Sequence, residues 1–410
     1  VLLLAVAAGR GQEQVLLVEP DEPAAESART LDDFTRLAES ASPALRQALA
    51  EIEVSRGRAV QSGLYPNPVV SGGSPQWGGS GSQFYGQLSQ EIVTKGKLRL
   101  NRAAAGREVA QAELRFVLTR FELLTAVRQG FYGVLAGQRR IEILERLVEV
   151  AKLSEDSIAR LERGGEATRA DLLLIQIERE KAELALENAQ ATLEAGRRRL
   201  AAVAGVPDAP IGQVAGELVA PATDFAALAR QSGVLDSNAL VQIAQAEADR
   251  ARILLRRAQV EPWPNVTLAG GYMQEAGFPN HLGLFSIEMP IPVWNRNQGE
   301  IRAARAAASS ASERVQRTYN ELAAQLATAV GRYEAAAQQT GRIQSAIIPK
   351  ARESLDLTRK GVAAGQFGFL TLLQAQRSNA EADLGLVNAL EALWTSAAEI
   401  AGLLQREAFP

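Results

Sequence analysis

The chain contains no cysteine, one histidine and two methionines, and only 5% of its 410 residues are aromatic. Without cysteine there can be no disulfide, thiolate metal site or thiol nucleophile in it. His281 stands alone, whereas a catalytic zinc site needs about three protein ligands, so it reads as an ordinary loop histidine at a strand start. Met273 and Met289 are too few for a thioether relay for soft metals. There is no phosphate-binding glycine loop and no nucleophile beside a base, so no catalytic, cofactor-binding or metal-ligating residues are expected, and the chain is not expected to be an enzyme. Glu142, Glu145 and Glu149 share a helix face, but arginines interspersed among them make that face a solvated surface. Charge of one sign is also lacking: 44 basic and 47 acidic residues are intermingled for a net −3, which leaves no basic face for nucleic acid. No stretch approaches 18 consecutive apolar residues, which excludes a membrane-spanning helix and leaves a β-barrel open.

What the chain does have is one plan used twice. Ser42-Pro43-Ala44-Leu45, Tyr65-Pro66-Asn67-Pro68, an alternating stretch ending Gln90-Glu91-Ile92, and Gln176, Arg179, Ala182 and Glu183 occur in that order. Roughly 197 residues later come Ser237-Asn238-Ala239-Leu240, Trp263-Pro264-Asn265-Val266, a stretch ending Ile287-Glu288-Met289, and Gln374, Arg377, Ala380 and Glu381, a period far too long for a solenoid repeat. The chain is two half-molecules. Its hydrophobic content of 47% is largely alanine, which suits close helix packing better than a bulky core.

The opening residues Val1 to Gly9 form an apolar run too short to span a bilayer and look like the tail of a signal peptide, and an acidic, proline-containing lead-in follows. Residues 1–30 are assigned to these. The first half-repeat is placed at 31–205: a helix to about Gln61, a β-hairpin at 69–92, and a long helical hairpin. Its outgoing helix, about Asn101 to Arg163, carries Phe121, Leu124, Val127, Phe131 and Val134 in steps of three and four, a stripe that needs a partner helix. Some 60 residues of helix extend roughly 90 Å. Gly164-Gly165 ends it, and the returning helix places Leu186, Leu193 and Leu200 at heptad spacing. Residues 206–236 form an equatorial connector lying against the outside of the helices. The second half-repeat, 237–405, has its hairpin at 265–289, turning at Gly277 to Asn280, and a second long helical hairpin broken or kinked at Pro349, with its tip at Gly361 to Gly368. Residues 406–410 are a tail.

In the strand Ser82 to Ile92, Phe84, Gly86, Leu88, Gln90 and Ile92 face one way and Tyr85, Gln87, Ser89 and Glu91 the other. Each strand has about nine to eleven residues, enough to cross a bilayer when tilted. Four strands cannot close a barrel, because known membrane barrels begin at about eight. The fold class expected is therefore mainly α with a small β part: duplicated antiparallel helical hairpins forming an α-barrel tunnel, and four strands per chain contributing to a trimeric, twelve-stranded transmembrane β-barrel. Two copies would give a barrel filled by side chains and three one with a lumen. The competing reading of these residues is a non-channel helical scaffold with a solvent-exposed sheet.

Ala346-Ile347-Ile348-Pro349-Lys350-Ala351 followed by Gly365-Gln366-Phe367-Gly368-Phe369-Leu370-Thr371 closely resembles the second-half signature of the TolC-like outer membrane efflux proteins. Met289-Pro290-Ile291-Pro292-Val293-Trp294-Asn295-Arg296-Asn297-Gln298-Gly299 resembles that family's strand-end motif, in a form most like its CzcC/CusC heavy-metal branch. The resemblance runs from Leu31 to Leu404. It implies a homotrimeric duct in the outer membrane of a Gram-negative-type bacterium, in contact with outer membrane lipid, most of it in the periplasm. A periplasmic adaptor and an inner-membrane pump of the RND or a related type would be its partners. Heavy-metal cations or small toxic compounds would be its cargo, with multidrug or type I protein secretion through the same fold as the alternative. Val362 departs from the aromatic the family often carries before the tip glycine, and the family's lipidated members carry an N-terminal cysteine that is missing here.

The resemblance also implies site residues. Polar side chains just beyond each helix tip narrow the periplasmic aperture in the family, and Asp171, Thr371 and Gln374 stand at those places. Three copies of Asp171 would favour cations. The plainer account of Asp171 is a carboxylate favoured by a helix N-terminus. Gly164, Gly165 and Arg169 at the first tip, and Gly365, Phe367 and Phe369 at the second, are where an adaptor would dock. For the two phenylalanines, packing within the trimer is the alternative.

Overall fold

The computed structural model describes residues 28–79, 81–275, 277 and 280–409. The apolar opening, nearly all of the lead-in, and Ala276, Phe278 and Pro279 of the second hairpin turn lie outside the described residues. In chain order the elements are α1 (Leu31–Ala41), α2 (Pro43–Gln61), β1 (Val69–Gln76), β2 (Gln83–Ile92), α3 (Lys97–Arg163), α4 (Arg169–Val203), α5 (Phe225–Ala229) and α6 (Ala239–Val260). They continue as β3 (Val266–Glu275), β4 (His281–Glu288), α7 (Gln298–Arg342), a π-helical turn (Ile343–Ile347), α8 (Ile348–Ala363) and α9 (Phe369–Leu403). No described helix is long and apolar enough to cross a membrane.

The single helix expected over 31–61 is in fact two. Ser42 is extended, accepts a hydrogen bond from the Leu45 amide and is followed by Pro43 at the first helical position, so the sequence contains both a stop and a new cap. Helix α3 is longer than expected: its 67 residues extend about 100 Å. Its counterpart in the second half is interrupted. Pro349 lacks an amide proton, and the backbone absorbs the missing bond in the π turn just before it.

Helices α3 and α4 pack antiparallel, and the heptad leucines show how. A Cβ on Gly137 would lie 2.9 Å from Leu193 Cδ1, and one on Gly130 would lie 3.1 Å from Leu200 Cδ1. Each leucine is a knob seated on a glycine of the opposing helix, so the axes approach closely. The few aromatics gather at one level. Tyr132 and Trp394 stack with ring centroids 4.0 Å apart, and Phe131, Phe225, Phe409 and Tyr333 are linked to them or to one another ring to ring. Connector residues Ile211, Val214, Phe225 and Leu235 are buried in this same cluster. The tail joins it too: Arg128, itself buried, donates to the carbonyls of Arg406 and Glu407 and lies 4.5 Å from the Phe409 ring centroid. The alanine-rich composition thus builds the tubes, and a bulky core is confined to the waist.

The four strands form one antiparallel sheet in the order β1-β2-β3-β4, with the two halves joined by ten consecutive β2/β3 pairs from Gln83↔Glu275 to Ile92↔Val266. The outer edges of β1 and β4 have no partner strand among the described residues.

Replacing Gly137 by valine should destabilise the chain by about 1–3 kcal/mol through overpacking against Leu193. Replacing Gly57, whose Cβ would meet nothing within 4 Å, by alanine should stabilise α2 by about 0.5–1 kcal/mol. Denaturant midpoints of the two variants check both signs.

Candidate functional site

Register divides the sheet into two chemically different faces. Val70, Phe84, Leu88, Ile92, Leu268, Tyr272, Phe285 and Ile287 share one face, and Val70 and Phe285 are 80% and 74% exposed. Ser71, Gln83, Tyr85, Gln87, Ser89, Glu91, Thr267, Glu275, Ser286 and Glu288 share the other. Met273, Leu282 and Leu284 interrupt that polar face near the β3–β4 turn. Glu91 and Glu288 flank Thr267 at one level, and the strands carry no lysine or arginine. The polar face is therefore anionic. His281 sits on the apolar face, stacked on Tyr272 and hydrogen-bonded through Nδ1 to its hydroxyl. No group of three or more His, Cys, Asp or Glu able to hold a metal ion occurs among the described residues.

At the base of the sheet, Asn265 ties the two halves together. Its Nδ2 donates to Glu91 at 2.6 Å, and its Oδ1 accepts from the Thr94 amide and from Lys97 Nζ at 3.1 Å. The Lys97 side chain is only 4% exposed and also faces Glu261 at 3.7 Å. The repeated aromatic-Pro-Asn motif marked this position, but its spacing carried no signal that the asparagine would bridge strand and helix.

The opposite end of the molecule holds the tips. Both turns use the same backbone scheme: Glu166 and Ala167 donate to the Leu161 carbonyl, Gln366 and Phe367 to that of Gly361. Gly165 and Gly365 adopt left-handed φ of 78° and 71°, a conformation costly for other residues. The side chains at these turns run in opposite order of size. At the first tip the equivalent positions are Leu161 and Ala167, both packed against the cluster of Ile158 and Leu172; at the second they are Gly361 and Phe367, whose Cδ2 lies 2.2 Å from where a Cβ on Gly361 would stand. Gly361 is thus buried within α8 rather than part of the turn, and Phe367 folds back over it, remaining 49% exposed. Phe369 packs instead into a cluster with Ile158, Leu172, Ile175 and Leu373. Gly164, Gly165 and Arg169 are exposed.

Asp171 is the third residue of α4 and completes a capping box: its Oδ2 accepts from the Thr168 amide at 3.0 Å and hydroxyl at 2.7 Å, while Thr168 Oγ1 accepts from the Asp171 amide. These bonds hold its carboxyl below the usual range. Asp171 also lines a cavity of about 220 Å³ with Glu166, Leu174, Gly368, Phe369 and Leu370, so the two tips meet beside it. Thr371 and Gln374 are exposed on the first turns of α9 and do not line that cavity. Arg377 reaches Glu178 of α4 at 3.4 Å and Glu381 at 2.8 Å, whereas its first-half equivalent Arg179 bonds Glu155 of α3 at 2.9 Å.

Residues 232–405 match the family model described as outer membrane efflux protein. The chain is 27% identical over 385 residues to the cobalt-zinc-cadmium resistance protein CzcC of Cupriavidus metallidurans, covering 92% of this chain and 90% of that protein. Its fold is similar to that of CusC, with a TM-score of 0.79, 16% identity and 91% of each chain covered. It is also similar to VceC of Vibrio cholerae, with a TM-score of 0.77, 18% identity and 92% and 96% of the two chains covered. Two-faced strands at one end of long paired helices, in a chain with these relatives, define an outer membrane channel of the outer membrane factor type. Its second half matches the outer membrane efflux protein family model, and the chain as a whole is similar to CzcC in sequence and to CusC and VceC in fold. Such proteins are transport ducts and not enzymes.

Gly361→Ala should push Phe367 off α8, and amide hydrogen exchange over 361–369 should rise; adding Phe367→Ala should restore protection. The cap at Asp171 contributes stability above the ordinary carboxylate range and loses it as pH falls through the depressed value. Protection of the first turn of α4, corrected for intrinsic exchange, should drop only in that acid window, and Asp171→Asn should abolish the dependence.

Proposed function

We propose that three copies of this chain close into a passive exit duct crossing the periplasm and the outer membrane, through which an inner-membrane pump and a periplasmic adaptor expel heavy-metal cations. The observation that carries this reading is the two-faced sheet with two unpaired edges. Hydrocarbon offers no hydrogen-bond partner, so a sheet with an apolar outer face must close on itself. Two copies supply eight strands and leave no water path, while three supply twelve and enclose one. Helices reaching about 100 Å continue that lumen away from the membrane.

Cationic cargo is supported by the resistance function in the printed name of CzcC and by a polar strand face that carries Glu91, Glu275 and Glu288 with no basic residue. Recognition of the metal belongs to the pump in this reading, and the duct conducts. Asp171, Thr371 and Gln374 narrow the periplasmic aperture. The Asp171 carboxylate spends Oδ2 on its own helix, which leaves Oδ1 to face the pathway. Gly164, Gly165 and Arg169 on the first tip, and Gly365, Phe367 and Phe369 on the second, form the adaptor-docking end, with Phe367 supplying exposed apolar surface and Phe369 holding the tip together.

Planar bilayer recording of the purified protein tests the duct: discrete conductance steps with cation preference are expected, and a protein that binds bilayers without conducting removes the proposal. Asp171→Asn should lower the cation-to-anion permeability ratio while leaving the trimer intact on a native gel; an unchanged ratio removes Asp171 from the aperture.

A further inference from the structure

Conduction leaves unexplained the cavity of about 220 Å³ between the two tips. Its wall is shared by three helices and both halves of the chain: Ile158 and Leu161 of α3, Leu174 and Ile175 of α4, and Phe369 and Leu370 of α9. Ile158 and Ile175 are each 3% exposed, whereas Leu174 and Leu370 are 46% and 48% exposed. The cavity therefore has a closed apolar floor and an apolar mouth open to water. The ionisable side chains of its lining, Glu166 and Asp171, are both acidic. Asp171 gives Oδ2 to the amide and hydroxyl of Thr168, which keeps Oδ1 for another donor.

We infer that this cavity is a binding site for a small organic cation, a single apolar ring carrying an ammonium on a short arm, with the ring on Ile158, Ile175 and Phe369 and the nitrogen donating to Asp171 and Glu166. Apolar walls joined to a few convergent polar groups are the usual form of a small-molecule site. Size, polarity and charge each select the ligand. An apolar cavity of about 150 Å³ holds benzene, so this one has room for such a ring and its arm and is too small for a peptide segment. A hydrated inorganic cation gains nothing from the apolar floor, a neutral arene leaves the two carboxylates without a partner, and an anion is repelled by them. The site is complete within one copy of the chain, and its consequence for the pathway rests on the duct reading. Because the wall belongs to both half-repeats, the bound cation clamps one tip to the other and masks the Asp171 oxygen aimed at the aperture.

The test uses the purified full chain in detergent, with benzylammonium as the probe and benzyl alcohol and methylammonium as its uncharged and ringless counterparts. Benzylammonium should slow amide hydrogen exchange at 166–171 and 367–371 together, by about threefold at twice its dissociation constant, while the two counterparts at the same concentration leave exchange unchanged. No protection at either tip overturns the site, and equal protection by benzyl alcohol overturns its cationic character. Glu166→Gln, at an exposed position outside the capping box, should weaken binding by about two- to fivefold, as loss of an exposed ion pair does; undiminished binding removes Glu166 from the site. Leu174→Trp, which fills the mouth from an exposed position, should abolish the protection, and an unchanged response there overturns the cavity as the place of binding. Conductance of the same protein is recorded separately in planar bilayers. A protein that gains protection without conducting removes the duct and leaves the site, whereas a conducting protein whose tips gain no protection removes the site and leaves the duct.

Discussion

The structure depends on a hydrogen-bonding constraint at two strand edges. Each chain leaves a row of backbone N–H and C=O groups on β1 and another on β4, beside a face whose side chains are apolar and exposed. In water such a sheet would invite indiscriminate pairing. In lipid the same groups must be satisfied by protein, and only closure does so for all of them. The rest follows from that demand: a sheet of alternating faces, and helices long enough to continue away from it. The Asn265 junction matters here because it connects the strands of one half to the first turn of α3 in the other. Removing its side chain would leave Lys97 buried without its nearest oxygen, a cost of about 1–3 kcal/mol for the unsatisfied group.

The hairpin, the long helical hairpin and the helix entries each occur twice along the chain, and the copies differ in detail. Gly96 and Asn297 enter α3 and α7 through the same left-handed conformation, with φ of 64° and 60°. Arg179 and Arg377 occupy equivalent places, yet one braces its own hairpin and the other reaches across to α4. One outgoing helix is continuous and the other carries a π turn ahead of a proline. The halves are therefore equivalent in architecture and different in local stiffness.

Much of this was legible in the sequence because the signals are periodic. Alternation in Ser82 to Ile92 assigned the two faces correctly, the heptad Leu186, Leu193 and Leu200 announced a helical hairpin, and proline and glycine marked strand ends and tips. What periodicity does not encode was not legible. The break at Ser42 depends on a local cap. The seating of Leu193 and Leu200 on Gly137 and Gly130 requires knowing which helices face each other. Asp171 was marked by its place near the tip, but its capping bond to Thr168 is a contact of three residues' separation whose rival role gives the same residue type. The aromatic waist was hidden because its members come from α3, α5, α7, α9 and the tail, too scattered for any local pattern.

The reversed pairing at the two tips constrains how the gene can change. Leu161 with Ala167 and Gly361 with Phe367 place large and small residues in opposite order at equivalent turn positions, so the tips are no longer interchangeable piece by piece. A recombination event that copied only one member of a pair between halves would leave either two bulky groups in collision or a void. The duplicated segments are therefore shielded from homogenising each other at their ends, and two different surfaces can persist there within one polypeptide.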